Sequence, residues 1–300
     1  MNSKNAFVYL VMPVFAGDKK EEQKRVDSIN SWKVNFNKKV NDILGRNFRI
    51  DITTPRINDP HMICGTIHTE YKNITKKGRV IRHELQRIGS LKKYSDIDNS
   101  YFVLMDGSGK INFDSIYSVL KGLEEKQVIF GCRPISHAIS DFRLKLELFE
   151  NFLVEEKYKV KLPDAQCGCW GFNLGILKDM PLTAESYDIE LDVIINALEK
   201  GMNIGFIQAM INDDGDVKKT NFKFGSNFEK LDFLCYKLEL TKDILNLYYR
   251  NFLKKTGYNL PARYTKYFNR LFFSPIRYRK FDCVGSCAKK ECKEAVKKTF

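Results

Sequence analysis

Short apolar runs alternate with helix-forming stretches through the first two-thirds of the chain, and this alternation narrows the fold more than any other feature. AFVYLVMP (6–13), YFVLM (101–105) and VIFG (128–131) are almost wholly apolar, as strands covered on both faces must be. A further strand is expected at 47–53, strand-like glycine-rich sequence at 166–176, and a strand at 203–211. Between them, 19–44, 79–94, 113–125, 140–157 and 188–200 show helical periodicity. Strands separated by helices of this length predict an α/β fold, a mostly parallel sheet flanked by helices. The polar run NDDGDVKKTN at 212–221 marks a boundary. It divides an α/β domain, 1–212, from a helical extension, 213–300, which contains the basic-aromatic stretch LPARYTKYFNRLFFSPIRYRK at 260–280.

With 300 residues and 43% hydrophobic residues, the chain can build a large core, which excludes a mostly disordered protein. Its net charge of +13 favours anionic partners such as nucleotide phosphates, nucleic acid or an acidic membrane surface. The apolar stretch near the N-terminus is too short to span a bilayer, and no secretory cleavage pattern follows it. The eight cysteines are scattered and read as reduced thiols, which together with the missing span predicts a cytoplasmic protein. Cys283, Cys287 and Cys292 cluster in the lysine-rich tail without a histidine and read as free thiols rather than as a zinc site. The stretch 260–280 reads as a packed helix, or alternatively as a surface that docks peripherally on an anionic membrane.

Four segments carry the candidate chemistry. MPVF (12–15) ends the first strand on a proline, which cannot donate to a sheet ladder. YFVLMDGSGKINFDSI (101–116) ends a strand on Asp106 inside a glycine-loosened turn, where open α/β sheets place their ligands. The others are LPDAQCGCWGF (162–172) and ESYDIELDVIINALEKGMNIGFIQ (185–208), the latter with Asp188 and Glu190 ahead of a helix. Singly, each has a structural explanation: helix capping for Asp106, dipole complementarity for Asp188 and Glu190, a tight turn for 166–172.

In order and spacing, these segments resemble the inverting GT-A-fold glycosyltransferases of the family 2 type. The likeness is greatest to the polyprenyl-phosphate branch typified by dolichyl-phosphate glucose and mannose synthases, and it covers roughly 6–211. MPVF is similar to the family's first-strand turn over the nucleotide, KKGRVIRHEL (76–85) to its lysine-glycine segment, and MDGSGKINFDSI to its central acidic motif. FGCR (130–133), DAQCGCWGF (164–172) and SYDIELDVIINALEKGMNIGFIQAMI (186–211) match three further motifs.

The resemblance implies a GT-A, Rossmann-like sheet and transfer of a sugar from a nucleoside-diphosphate donor, a UDP-sugar by preference. Transfer would proceed with inversion to a lipid-phosphate, saccharide or peptide acceptor. Donor binding would fall to Pro13, Val14, Phe15, Asp51, Lys77, Gly78, Asp106, Ser108, Lys110 and Arg133. Gln166, Cys167, Gly168 and Trp170 would line the sugar–acceptor cleft, with Trp170 either stacking on a sugar or packed in the core. Asp188, slightly preferred, or Glu190 would act as base toward a hydroxyl acceptor.

Two departures stand out. The acidic end of the family's second strand is reduced here to Asp51 and Thr53-Thr54. The central motif keeps Asp106 but carries Ser108 and Lys110 in place of further metal ligands. Either Asp106 still holds Mg²⁺ or Mn²⁺ with help from donor phosphates and water, or Lys110 with Arg133 neutralises the diphosphate and no metal is needed. The alternatives to an active enzyme are a catalytically degenerate nucleotide-binding protein of the same fold and a basic nucleic-acid-binding protein. The latter would leave the acids at 106, 188 and 190 without a role.

Overall fold

The computed structural model describes residues 6–14, 19–45, 48–54, 77–90, 97–134, 141–186, 188–212 and 224–257. Phe15, the stretch 260–280 and Cys283, Cys287 and Cys292 lie outside the described residues. Six strands form one sheet: β1 (Phe7–Val11), β2 (Arg49–Thr53), β3 (Tyr101–Met105), β4 (Val128–Cys132), β5 (Cys169–Asn173) and β6 (Ile204–Gln208). They lie in the order β2-β1-β3-β5-β4-β6. The helices are α1 (Lys19–Leu44), α2 (Lys77–Ser90), α3 (Ser115–Leu123), α4 (Asp141–Tyr158), α5 (Ile189–Glu199), α6 (Phe224–Lys237) and α7 (Lys242–Thr256). The described part of the helical extension is two helices, because the chain turns after Lys237 and Thr241 caps α7 by accepting the Ile244 N–H.

All pairings are parallel except those of β5, which runs antiparallel to both β3 and β4. This inserted strand has a functional consequence. Its first residue, Cys169, pairs with Met105, the last residue of β3, so the segment preceding β5 arrives at the carboxyl edge of the sheet beside Asp106.

Side chains alternate across β1 and β3 into two apolar layers. Tyr9, Val11, Phe102 and Leu104 join Phe130, Trp170 and Phe172 under α2, α4, α5, α6 and α7. Val8, Leu10, Tyr101, Val103 and Met105 face Ile29, Phe36, Ile116 and Leu120 of α1 and α3. Burial on both faces explains why β3 has no polar position. Helices α6 and α7 share the first layer with α4, through Leu231, Leu234 and Phe252 against Phe149 and Phe152. Among the described residues no helix is long and apolar enough to cross a membrane, and Cys132, Cys167, Cys169 and Cys235 are free thiols.

Candidate functional site

Asp106 follows the last residue of β3, and its backbone N–H donates to the carbonyl of Gly168 at 2.7 Å. Gly168 lies so close that a Cβ there would collide with the Asp106 carboxylate. Glycine at 168 is therefore the residue that lets the 164–168 segment back onto this acid. On the other side, the Gly107 N–H donates to the Pro13 carbonyl at 3.0 Å, which brings Pro13 and the buried Val14 against the same turn. The side chain of Asp106 is 37% exposed, so it is the open group of an otherwise buried cluster.

That cluster is built on Lys77. Its Nζ lies 2.6 Å from Asp106 Oδ1 and also donates to Glu190, while the lysine side chain is only 4% exposed and that of Glu190 5%. A cation on the first residue of a helix is opposed by the helix dipole, so the two carboxylates must hold it there. Burial alone would lower the Lys77 pKa, but the charges and hydrogen bonds of Asp106 and Glu190 outweigh it and hold the pKa above the usual lysine value. The ammonium therefore stays charged at neutral pH.

Gly78 makes this placement possible. A Cβ on it would fall 2.6 Å from the Glu185 carbonyl carbon and 2.7 Å from the Ala184 oxygen. Without a side chain, the first turn of α2 lies on the backbone of 184–186, and the Arg79 N–H bonds to the Glu185 carbonyl at 3.1 Å. The 183–186 segment is in turn held to α5. Asp188 accepts the Ser186 N–H at 2.7 Å, and the buried Asp192 accepts the Ala184 N–H at 2.7 Å. Asp188, the acid preferred as base on sequence, is 1% exposed and turned to this loop. Glu190 is the acid that reaches Asp106 through Lys77.

Other expected site residues go elsewhere. Arg133 is bound by a buried fork. Its Nε and Nη2 donate to the two oxygens of Asp164 at 2.7 and 2.9 Å, and Nη2 also reaches Glu147 at 3.0 Å. Burial opposes the charge on Arg133, yet Asp164 and Glu147 raise its pKa, and the same pairing lowers that of Asp164 against the upward push of burial. An arginine so committed is a strut, not the partner of a diphosphate.

The amide of Gln166 is buried between Glu150 and Lys230, donating to the first and accepting from the second. Trp170, weighed between a sugar and the core, is fully buried against Phe102 and Phe172, with ring centroids 5.6 and 6.2 Å away. Cys167 is buried as well, and burial pushes its thiol pKa far up, so it is no thiolate ligand or nucleophile. Of the cleft set, only Gly168 touches Asp106. Asp51 on β2 is paired with Arg87 at 2.9 Å, away from the Lys77 cluster. Ser108 and Lys110 follow in the turn, with the Lys110 N–H 3.4 Å from Ser108 Oγ and the Lys110 side chain exposed.

Sequence reading missed the bridging place of Lys77, for which the flanking glycine in KKGR is the local signal. It also missed the buried acids Glu147 and Glu150, visible as carboxylates three residues apart within the apolar pattern of 146–153.

No family model matches the chain, and a search of curated proteins finds no match. Solved structures with some likeness include glucosyl-3-phosphoglycerate synthase from Mycobacterium tuberculosis in complex with Mn²⁺, UDP and phosphoglyceric acid. It has a TM-score of 0.49 and 10% identity, over 78% of this chain and 79% of that one. Mannosyl-3-phosphoglycerate synthase from Rubrobacter xylanophilus gives a TM-score of 0.48 and 14% identity, over 78% and 74% of the two chains.

Proposed function

We propose that the protein is a GT-A-type glycosyltransferase that takes a sugar from a nucleoside-diphosphate donor, UDP-sugars foremost, with Asp106 at the donor. The observation that supports this reading best is the convergence of four separate sequence segments on one half-exposed carboxylate. Pro13 and Val14 border its turn, Gly168 backs onto it, and Lys77 ties it to Glu190. Capping, dipole complementarity and tight turns, taken one at a time, give no reason for these residues to meet.

The chemistry follows from the placement. Direct displacement at the anomeric carbon, with inversion, requires the diphosphate to be held and its departing charge stabilised. Ser108 and the exposed Lys110 lie in the turn beside Asp106 and supply a hydroxyl donor and a cation. Glu190, the other candidate base for a hydroxyl acceptor, is tied to the donor turn through Lys77, whereas Asp188 is spent on the 183–186 loop.

A divalent cation at Asp106 fits these residues poorly. Mg²⁺ and Mn²⁺ ask for several charged or polar oxygen ligands, whereas Asp106 already holds an ammonium. Among the described residues, no group of three or more His, Cys, Asp or Glu is placed to hold a metal. No step is therefore assigned to a metal.

Thermal unfolding with UDP, GDP or a single-stranded oligonucleotide tests the reading. A nucleoside diphosphate should raise the melting temperature of the wild type, and Asp106→Ala should lose that rise. Stabilisation by oligonucleotide alone, falling steeply with salt, would replace the transferase by a nucleic-acid-binding protein.

A further inference from the structure

Building on the transferase reading, we infer that Lys77 takes the place of a divalent cation in this site, so that the donor diphosphate is bound without metal. A carboxylate at the donor turn repels a diphosphate, and a cation must reconcile the two. In a metal-dependent site the ion does so by binding both. Here the Lys77 ammonium, 2.6 Å from Asp106 Oδ1 and shared with Glu190, offsets part of the charge of the two carboxylates, and the exposed Lys110 in the adjoining turn offsets the rest. The diphosphate then meets a turn that carries Ser108 and the exposed Lys110, and lysine serves phosphate as a point charge.

The alternatives on the molecule are weaker. Arg133 is locked to Asp164 and Glu147. The basic side chain of Lys110 alone would leave one of the two carboxylates, Asp106 or Glu190, uncompensated. A metal ion bound at Asp106 would stand beside a buried ammonium, a like-charge contact in a poorly screened place. The lysine also has little freedom to withdraw. It is 4% exposed and held at its far end by Glu190, while Gly78 pins the start of its helix to the 184–186 backbone. The same contacts make Lys77 a positioning residue for Glu190, linking the donor turn to that candidate base.

The test is calorimetric titration of UDP, and in parallel GDP, into the full chain in EDTA and in Mn²⁺. The wild type should bind one of these nucleotides equally well in both media. Lys77→Ala should lose about tenfold or more in affinity in EDTA, the order expected for a lost hydrogen bond to a charged group. Mn²⁺ should restore it, because the vacated space leaves Asp106 and Glu190 as a carboxylate pair. If that variant does not fold, Lys77→Ala combined with Glu190→Gln removes the repulsion and should show the same loss in EDTA. Wild-type binding that vanishes in EDTA and returns with Mn²⁺ would overturn the inference and leave the transferase reading standing. No binding of either nucleotide in either medium would overturn both.

Discussion

Two of the buried charge clusters along this sheet, those of Lys77 and Arg133, differ in one property. Lys77 sits between Asp106 and Glu190, and Arg133 sits between Asp164 and Glu147. Each has one cation between two carboxylates, each joins a loop or strand end to a helix, and each hides most of its charge. Only the first has an open member, Asp106 at 37% exposure, whereas Asp164 and Glu147 are 10% and 7% exposed. A closed cluster can only brace the fold. A cluster with one carboxylate at the surface can also meet a ligand, and this is where the motif segments converge.

The comparison makes the two clusters separable by mutation. The largest effect on stability should come from Arg133→Met, which strands two buried carboxylates. Loss of one member of a buried charge cluster costs about 3–5 kcal/mol. Urea unfolding should show that loss, while the protein that stays folded keeps its stabilisation by UDP. If UDP stabilisation disappears with the fold still intact, the clusters are not independent.

Gly78→Ala is expected next, at about 1–3 kcal/mol, as overpacking costs; the clash has no easy relief, since its Cβ would meet backbone and not a flexible side chain. It should weaken UDP binding as well, since Lys77 would be carried away from Glu190. Equal destabilisation with unchanged UDP affinity would detach Lys77 from the site.

The smallest change should be Trp170→Phe. The indole Nε1 is buried with no hydrogen-bond partner among the described residues. Removing it relieves an unsatisfied donor while opening a small cavity, and these opposed terms should leave a net change within about 1 kcal/mol. UDP stabilisation should not move, because the ring belongs to the core. A selective loss of donor turnover in this variant would return Trp170 to the sugar cleft.

The same contrast shows what could be read from the chain. Elements whose pattern is local were legible: the predicted helix over 19–44 matches α1 to the residue, and 101–105 matches β3. The direction of β5 was not, because CWGFN has the same apolar pattern read either way. Only its register against Met105 and Val103 decides it. For the site, Asp106 was legible because a strand, a lone acid and a glycine turn are neighbours in sequence.

Lys77 and Arg133 show the limit. Lys77 stands in a basic run that looks solvated, and its burial depends on Glu190, 113 residues away. Arg133 follows a strand much as a phosphate ligand would, and Asp164, 31 residues on, takes its donors instead. Residue type shows which groups can carry charge; the pairing across the fold determines which remain open to a ligand.

Sugar transfer from a nucleoside-diphosphate donor at Asp106 is the activity proposed for this site. Proton NMR of UDP-hexoses incubated with the wild-type chain, in EDTA and in parallel in Mn²⁺, follows nucleotide release and the anomer first formed. UDP should appear together with sugar of inverted anomeric configuration, and Asp106→Asn should abolish both. Release that is equal in wild type and Asp106→Asn, or absent from every donor in the wild type in both media, would overturn the assignment.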